Sequence, residues 1–170
     1  HLAHLQFVQP ADAQRFAELG VVANVTPLWA VASGYVEDLT LPFVSERAAA
    51  CMYPFGALVA AGARLAFGSD WPVSTPDPLQ QLEVAVTRCD PGAVDATPLL
   101  AGERLDLRAA IRAATAGAAF VNGLDAETGT LEPGKLADLV VLDRDLLADD
   151  APPPTEASVR LTLIGGAIVH

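Results

Sequence analysis

The chain has 170 residues, of which 52% are hydrophobic, 18% charged and 6% aromatic, a composition that supports a folded core and excludes a disordered tail. With 10 Lys and Arg against 21 Asp and Glu, the net charge is -11, which repels phosphate backbones and anionic membrane surfaces and excludes nucleic-acid and membrane partners on electrostatic grounds. No apolar run reaches the roughly 18 residues of a membrane span, and the expected compartment is the cytoplasm.

The two cysteines, Cys51 and Cys89, are far apart and form no Cys-x-x-Cys pattern, so both are expected as buried thiols. The chain opens on His1 and its one methionine is Met52. It therefore reads as the C-terminal part of a longer polypeptide. Leu2, Leu5, Phe7 and Val8 make residues 1–9 an apolar run, expected as a strand without a preceding turn. Pro10, with Phe16 and Leu19 at helical spacing and Gly20 behind them, predicts a short helix. Residues 21–25 read as a buried strand. From Pro27 to Glu46 neither period is visible, and Trp29, Gly34, Tyr35 and Pro42 mark a loop of the kind that forms lids or binding surfaces.

A single helix is expected over residues 47–61, stopping at Gly62, followed by the strand Arg64-Leu65-Ala66-Phe67-Gly68 and then Ser69-Asp70-Trp71-Pro72. Asp77 and Pro78 supply a cap and first-turn proline for a helix whose buried stripe is Leu79, Leu82 and Val86. Asp106 caps another, with Leu107, Ile111, Ala114 and Ala118 inward and Arg108 and Arg112 outward. This alternation over residues 1–123 implies parallel strands covered by helices. From Gly129 the pattern changes: a turn at Glu132-Pro133-Gly134-Lys135, a strand over 139–142, a proline-rich connection over 151–154, and a hairpin whose two-residue turn is Gly165-Gly166. Residues 124–170 are expected as a small all-β unit that needs further strands to cover its edges.

In parallel α/β folds, ligands gather at the carboxyl ends of strands. His4, Asn24, Thr26 and Asp70 are placed that way here. Strand position alone leaves Asp70 open between a functional carboxylate and a loop cap, and a lone histidine such as His4 is more often a core residue than a ligand. Taken together, imidazole nitrogen and carboxylate oxygen on neighbouring strand ends suit a zinc site, but a catalytic zinc takes three protein ligands. His1 precedes any element and His170 ends the hairpin, so the residues themselves yield half a metal site. Gly68-Ser69-Asp70 lacks the second glycine of a nucleophile elbow, and Gly56 and Gly62 are not spaced for a dinucleotide. Asp149-Asp150 reads as a solvated turn.

Residues 65–78, Leu-Ala-Phe-Gly-Ser-Asp-Trp-Pro-Val-Ser-Thr-Pro-Asp-Pro, resemble the last barrel strand and following loop of the amidohydrolase superfamily, in its family 3, the N-substituted formamide deformylase-like branch. In the same order, His4-Leu5-Gln6 resembles the sixth-strand His-Ala-Gln, Val25-Thr26-Pro27-Leu28-Trp29 the seventh-strand segment, and Glu46-Arg47 the Glu-Arg pair of the following loop. Residues 129–141, ending Glu-Pro-Gly-Lys-Leu-Ala-Asp-Leu-Val-Val, resemble the return into the small β-sandwich of these enzymes.

The resemblance implies an α/β fold: strands six to eight of a (β/α)8 TIM barrel over residues 1–123, and the C-terminal strands of a composite β-sandwich over 124–170. A whole barrel takes about 250 residues, so the remainder, with its first-strand His-x-His pair, would belong to a missing N-terminal part of the same chain. By position, His4 and Asp70 would be catalytic and would hold a divalent metal, zinc being the expected one. Trp29, Arg47 and Trp71 would meet the substrate. In the implied chemistry a metal-activated water attacks an amide-type carbonyl of a small molecule, and the aspartate carries its proton to the leaving nitrogen. One departure is Ala3, which precedes His4 where glutamate is common in the family. The competing reading is a truncated or inactive homologue that acts by binding. Unpaired strand edges at 2–8 and 65–68 predict self-association of the chain by itself.

Overall fold

The computed structural model describes residues 1–93 and 95–170. Three short strands, β1 (Leu2–His4), β2 (Ala23–Val25) and β3 (Leu65–Phe67), form a parallel sheet in the order β1-β2-β3. Their register sets His4 beside Val25 and Val25 beside Phe67, so all three carboxyl ends fall at one level. β2 is central and its Ala23 and Val25 are fully buried, whereas every residue of β1 is exposed. The strand expected over residues 1–9 is cut short because His4 and Leu5 take φ of 63° and 54°, turning the chain out of the sheet. Phe7 then makes only an isolated antiparallel bridge to Met52.

Helix α1 (Pro10–Glu18) connects β1 to β2 and opens on a proline whose missing N–H is one no helix uses. Ala13 and Phe16 are buried, and Gly20, at φ 64°, closes the end. Leu19, expected inside, is 65% exposed. With Leu2, Phe16 and Val21 it walls an open groove of about 480 Å3 beside β1, the sheet edge on which no further strand lies among the described residues.

The aperiodic residues 27–46 hold only short turns: 3-10 turns at Pro27–Trp29 and Leu41–Phe43, with α2 (Gly34–Glu37) between them. The single helix expected over 47–61 is instead two, α3 (Glu46–Ala49) and α4 (Phe55–Ala60). Pro54 has no N–H to donate and disfavours helical backbone in the residue before it, and Tyr53 accordingly sits at φ 46°. Cys89 is buried as expected, while Cys51, in the break, is half-buried; both are free thiols.

After β3, α5 (Pro78–Thr87) starts as its sequence predicts: the Asp77 carboxylate accepts from the Leu79 N–H at 2.9 Å. Its burial exceeds the expected stripe, because Gln81, Glu83, Val84 and Ala85 are buried along with Leu82. The helix packs against α6 (Leu107–Arg112) and against a 3-10 turn at Pro154–Glu156. In that second contact Glu83 accepts from the Gly92 N–H at 2.7 Å and from the Thr155 N–H at 3.1 Å, and also from the Thr155 hydroxyl. Asp106 caps α6 through the Ala109 N–H at 2.8 Å, and Arg108 and Arg112 are exposed. A π-helical stretch, Ala113–Gly117, continues α6 into α7 (Ala118–Val121) and lies against β3. A Cβ added to Gly117 would sit 2.0 Å from the Leu65 carbonyl oxygen, so only glycine permits this approach.

This layer buries Leu65 and Ala66; β3, like β1, has no strand on its outer side among the described residues, and of the two β1 is the exposed one. The remaining strands, β4 (Leu139–Leu142), β5 (Val159–Ile164) and β6 (Ala167–Ile168), form an antiparallel sheet in that order. Gly165 and Gly166, at φ 57° and 81°, make the two-residue turn. No helix among the described residues is long and apolar enough to cross a membrane.

Candidate functional site

The carboxyl ends of the three parallel strands carry the polar residues singled out in the sequence. His4 ends β1 and is exposed; its Nδ1 lies 3.4 Å from the hydroxyl of Thr26, a buried residue just past β2. The other ring nitrogen, Nε2, has no hydrogen-bond partner among the described residues. Asn24, on β2, lies under the turn that leaves β3, where a Cβ added to Gly68 would come 3.0 Å from its Oδ1. That glycine lets the backbone pass over Asn24, and its N–H extends the pairing by donating to the Val25 carbonyl at 2.9 Å.

Two residues further, Asp70 stands half-buried at φ 58°. The loop around it is bonded to itself. The Trp71 N–H donates to the Ser69 hydroxyl at 3.2 Å, the Val73 N–H to the Asp70 carbonyl at 2.8 Å, and the Ser74 hydroxyl to the Ser69 carbonyl. None of these bonds uses the Asp70 side chain, whose carboxylate has no hydrogen-bond or ion-pair partner among the described residues. A loop-capping aspartate would accept a nearby backbone N–H; here a serine hydroxyl and a main-chain carbonyl do that work.

The three expected substrate contacts differ in their surroundings. Trp29 is half-buried and lines a cavity of about 300 Å3 with Gln6, Tyr35 and Tyr53. Trp71 is 68% exposed on the Asp70 loop. Arg47 is exposed in α3 and forms no ion pair among the described residues, with Glu46 or any other group.

Three residues escaped the sequence reading. Glu83 carries a signal that was there to be used, a carboxylate inside the apolar run of a helix. Arg88, fully buried at φ 64°, donates from Nε to the Leu99 carbonyl at 2.8 Å and from Nη1 to the Tyr53 carbonyl at 3.0 Å. Burial lowers its pKa from the ordinary guanidinium value to about 10, opposed by the nearby Glu103 and Tyr53. Tyr53, third of these, is set by the break between α3 and α4.

For a divalent cation, the fit is that of a partial set. Among the described residues no three His, Cys, Asp or Glu side chains are grouped to hold one. His4 and Asp70 are nevertheless suitable donors, a free imidazole nitrogen and an unpaired carboxylate. A half-buried carboxylate without donors is costly unless a cation faces it.

His4 and Asp70 thus lie at the carboxyl ends of a parallel sheet, the side on which α/β folds gather their ligands. The amidohydrolase family model matches residues 1–170, and the chain belongs to that family. It is 36% identical over 165 residues to Protein LONG AFTER FAR-RED 3 of Arabidopsis thaliana, covering 97% of this chain and 27% of the relative. Against the N-substituted formamide deformylase of Arthrobacter pascens it is 28% identical over 167 residues, covering 98% of this chain and 30% of the enzyme. Among solved structures, an uncharacterized metal-dependent hydrolase from Pyrococcus horikoshii OT3 superposes with a TM-score of 0.76 at 28% identity, over 92% of this chain and 30% of that one. The chain thus spans less than a third of the curated relatives it matches.

Proposed function

We propose that this chain supplies the last three barrel strands and one sheet of a composite β-sandwich to a metal-dependent hydrolase that cleaves non-peptide C–N bonds of a small amide-type molecule. The remaining barrel strands and metal ligands then come from chain outside these residues, and the 170 residues alone are inactive. The observation that carries the reading is the Asp70 carboxylate: unpartnered, half-buried, and held by a self-bonded loop at the carboxyl end of a parallel sheet. The sequential order β1-β2-β3, with α1 and α4 in the two crossovers, supports this reading, since consecutive barrel strands are neighbours.

In this reading His4 and Asp70 would hold the cation, zinc being the ion their donor types suit best; the bound cation supplies Lewis acidity and lowers the pKa of water. The Thr26 hydroxyl, 3.4 Å from Nδ1, would orient the His4 ring and leave Nε2 free to hold a cation. Asp70 accepts a proton from the attacking water and delivers it to the leaving nitrogen. The C–N bond breaks, and a carboxylic acid and an amine are released.

The test is hydrolysis of a panel of N-substituted formamides and acetamides by the full-length protein, before and after chelation. Turnover that is lost on chelation and restored by zinc is the expected result. Turnover indifferent to chelation, or no cleavage of any C–N bond in metal-replete protein, overturns the reading.

A further inference from the structure

Three chain segments meet just beyond the carboxyl end of the first sheet. Gln6 follows β1 by two residues, Trp29 ends the 3-10 turn after β2, and Tyr53 comes from the break between α3 and α4. The cavity of about 300 Å3 that they enclose, completed at its rim by Ser33, Tyr35 and Thr40, is at the small end of the range for organic ligands. Its wall is built in advance of any ligand. The left-handed Tyr53 backbone is held from both sides, its N–H donating to the Gln6 carbonyl at 2.9 Å and its carbonyl accepting from Arg88 Nη1 at 3.0 Å. At the rim, the Thr40 hydroxyl donates to the Tyr35 carbonyl at 2.7 Å.

No residue lining the cavity is charged. An anion would find no cation there and would meet a protein of net charge -11, while a cation would find no carboxylate in the wall. Aromatic side chains form much of that wall, and such faces suit a flat ring in offset or edge contact. The Trp29 indole Nε1 is buried without a hydrogen-bond partner among the described residues, and Tyr53, on the same wall, is only 5% exposed. Burial raises its pKa above the ordinary 10.0, against a smaller opposing effect of Arg88, so the phenol remains a donor at neutral pH.

We infer that this cavity binds a neutral aromatic group bearing a hydrogen-bond acceptor, the aryl substituent of the amide substrate, with Trp29 and Tyr53 selecting it. The inference rests on the hydrolase reading above and names the substrate class for the same site.

Saturation-transfer NMR on the full-length protein, with benzamide as probe and acetamide as competitor, tests it without requiring turnover. Benzamide should bind, and acetamide, which has the amide but no ring, should not displace it. Tyr53→Phe removes one hydroxyl and should weaken benzamide about fivefold, the effect of one hydrogen bond. Ser33→Leu narrows the rim and should weaken it further, and a thermal melt confirms that both variants fold. Absence of benzamide binding, displacement by acetamide, or an unchanged Kd in either folded variant overturns the site. A protein that binds benzamide in this way but hydrolyses no amide keeps the site and loses the hydrolase reading. Hydrolysis of small amides without benzamide binding does the reverse.

Discussion

At the scale of single residues, Asp70 and Arg88 show opposite uses of a charged side chain. The Asp70 carboxylate has no internal partner, so its removal costs the fold little. Asp70→Asn keeps the shape but accepts no proton, and general base catalysis is typically worth about 10²–10⁴-fold. In the full-length, metal-loaded protein kcat/KM should fall by at least that factor, because Asp70 is also proposed to hold the cation, while the thermal midpoint of the metal-free protein stays unchanged. A loss of less than about tenfold would return Asp70 to the role of a loop residue. Arg88 is the reverse case. Its guanidinium is buried, lies 5.0 Å from the Phe55 ring centroid and serves two carbonyls from separate segments. Arg88→Ala leaves both carbonyls bare and opens a void, and should destabilise the protein by about 3 kcal/mol in urea unfolding.

At the scale of elements, stability depends on close backbone approaches and on carboxylates that gather N–H groups. The π-helical stretch rests on β3 only because Gly117 has no side chain. Gly117→Ala should therefore cost about 3 kcal/mol, at the upper end of overpacking effects, whereas Gly102→Ala, where an added Cβ meets nothing and the backbone is not left-handed, provides the contrast in the same melt. In the second sheet, Asp143 follows β4 and accepts from the Ser158 N–H at 2.9 Å, one residue before β5, with Arg144 beside it. These bonds hold its pKa below the ordinary 3.8, the Ser158 N–H contributing most. A depressed carboxylate pKa stabilises the fold above its unfolded value and loses that contribution as pH falls through the folded one. Hydrogen exchange at the Ser158 amide should accelerate below about pH 4, relative to neighbouring strand amides, and Asp143→Asn should abolish that pH dependence.

At the scale of the whole molecule, two features decide how the parts hold together and what they leave open. Glu83, buried in α5, is the joint between the parallel-sheet region and the segment leading into β5, through its bonds to Thr155. The other feature is the exposed β1, with unpaired backbone on its outer edge and the Leu2–Leu19 groove beside it. An apolar strand edge of this kind pairs with whatever strand is available. The 170 residues by themselves should therefore self-associate with rising concentration in light scattering, and bind zinc weakly by calorimetry, since His4 and Asp70 leave most of the coordination to water. A sharp monomer with tight stoichiometric zinc would contradict both expectations.

Local chemistry was readable in the sequence alone wherever it involved only neighbours along the chain. Pro10 and Gly20 bound a helix, Asp77-Pro78 and Asp106 start two more, and Gly165-Gly166 makes a hairpin, because each signal acts within a few residues on backbone that has no better local choice. The alternation of strands and helices and the polar strand ends at His4 and Asp70 were legible for the same reason. Tertiary structure decided what depends on distant partners. The Phe7–Met52 bridge and Pro54 split one expected helix into two and placed Tyr53 in a cavity wall. Leu19, with no described element packed over it, is exposed despite its helical spacing, while the layer against β3 buries Leu65 and Ala66. A helical period records only that one face is apolar; whether another element covers that face is settled by contacts between residues far apart in the chain.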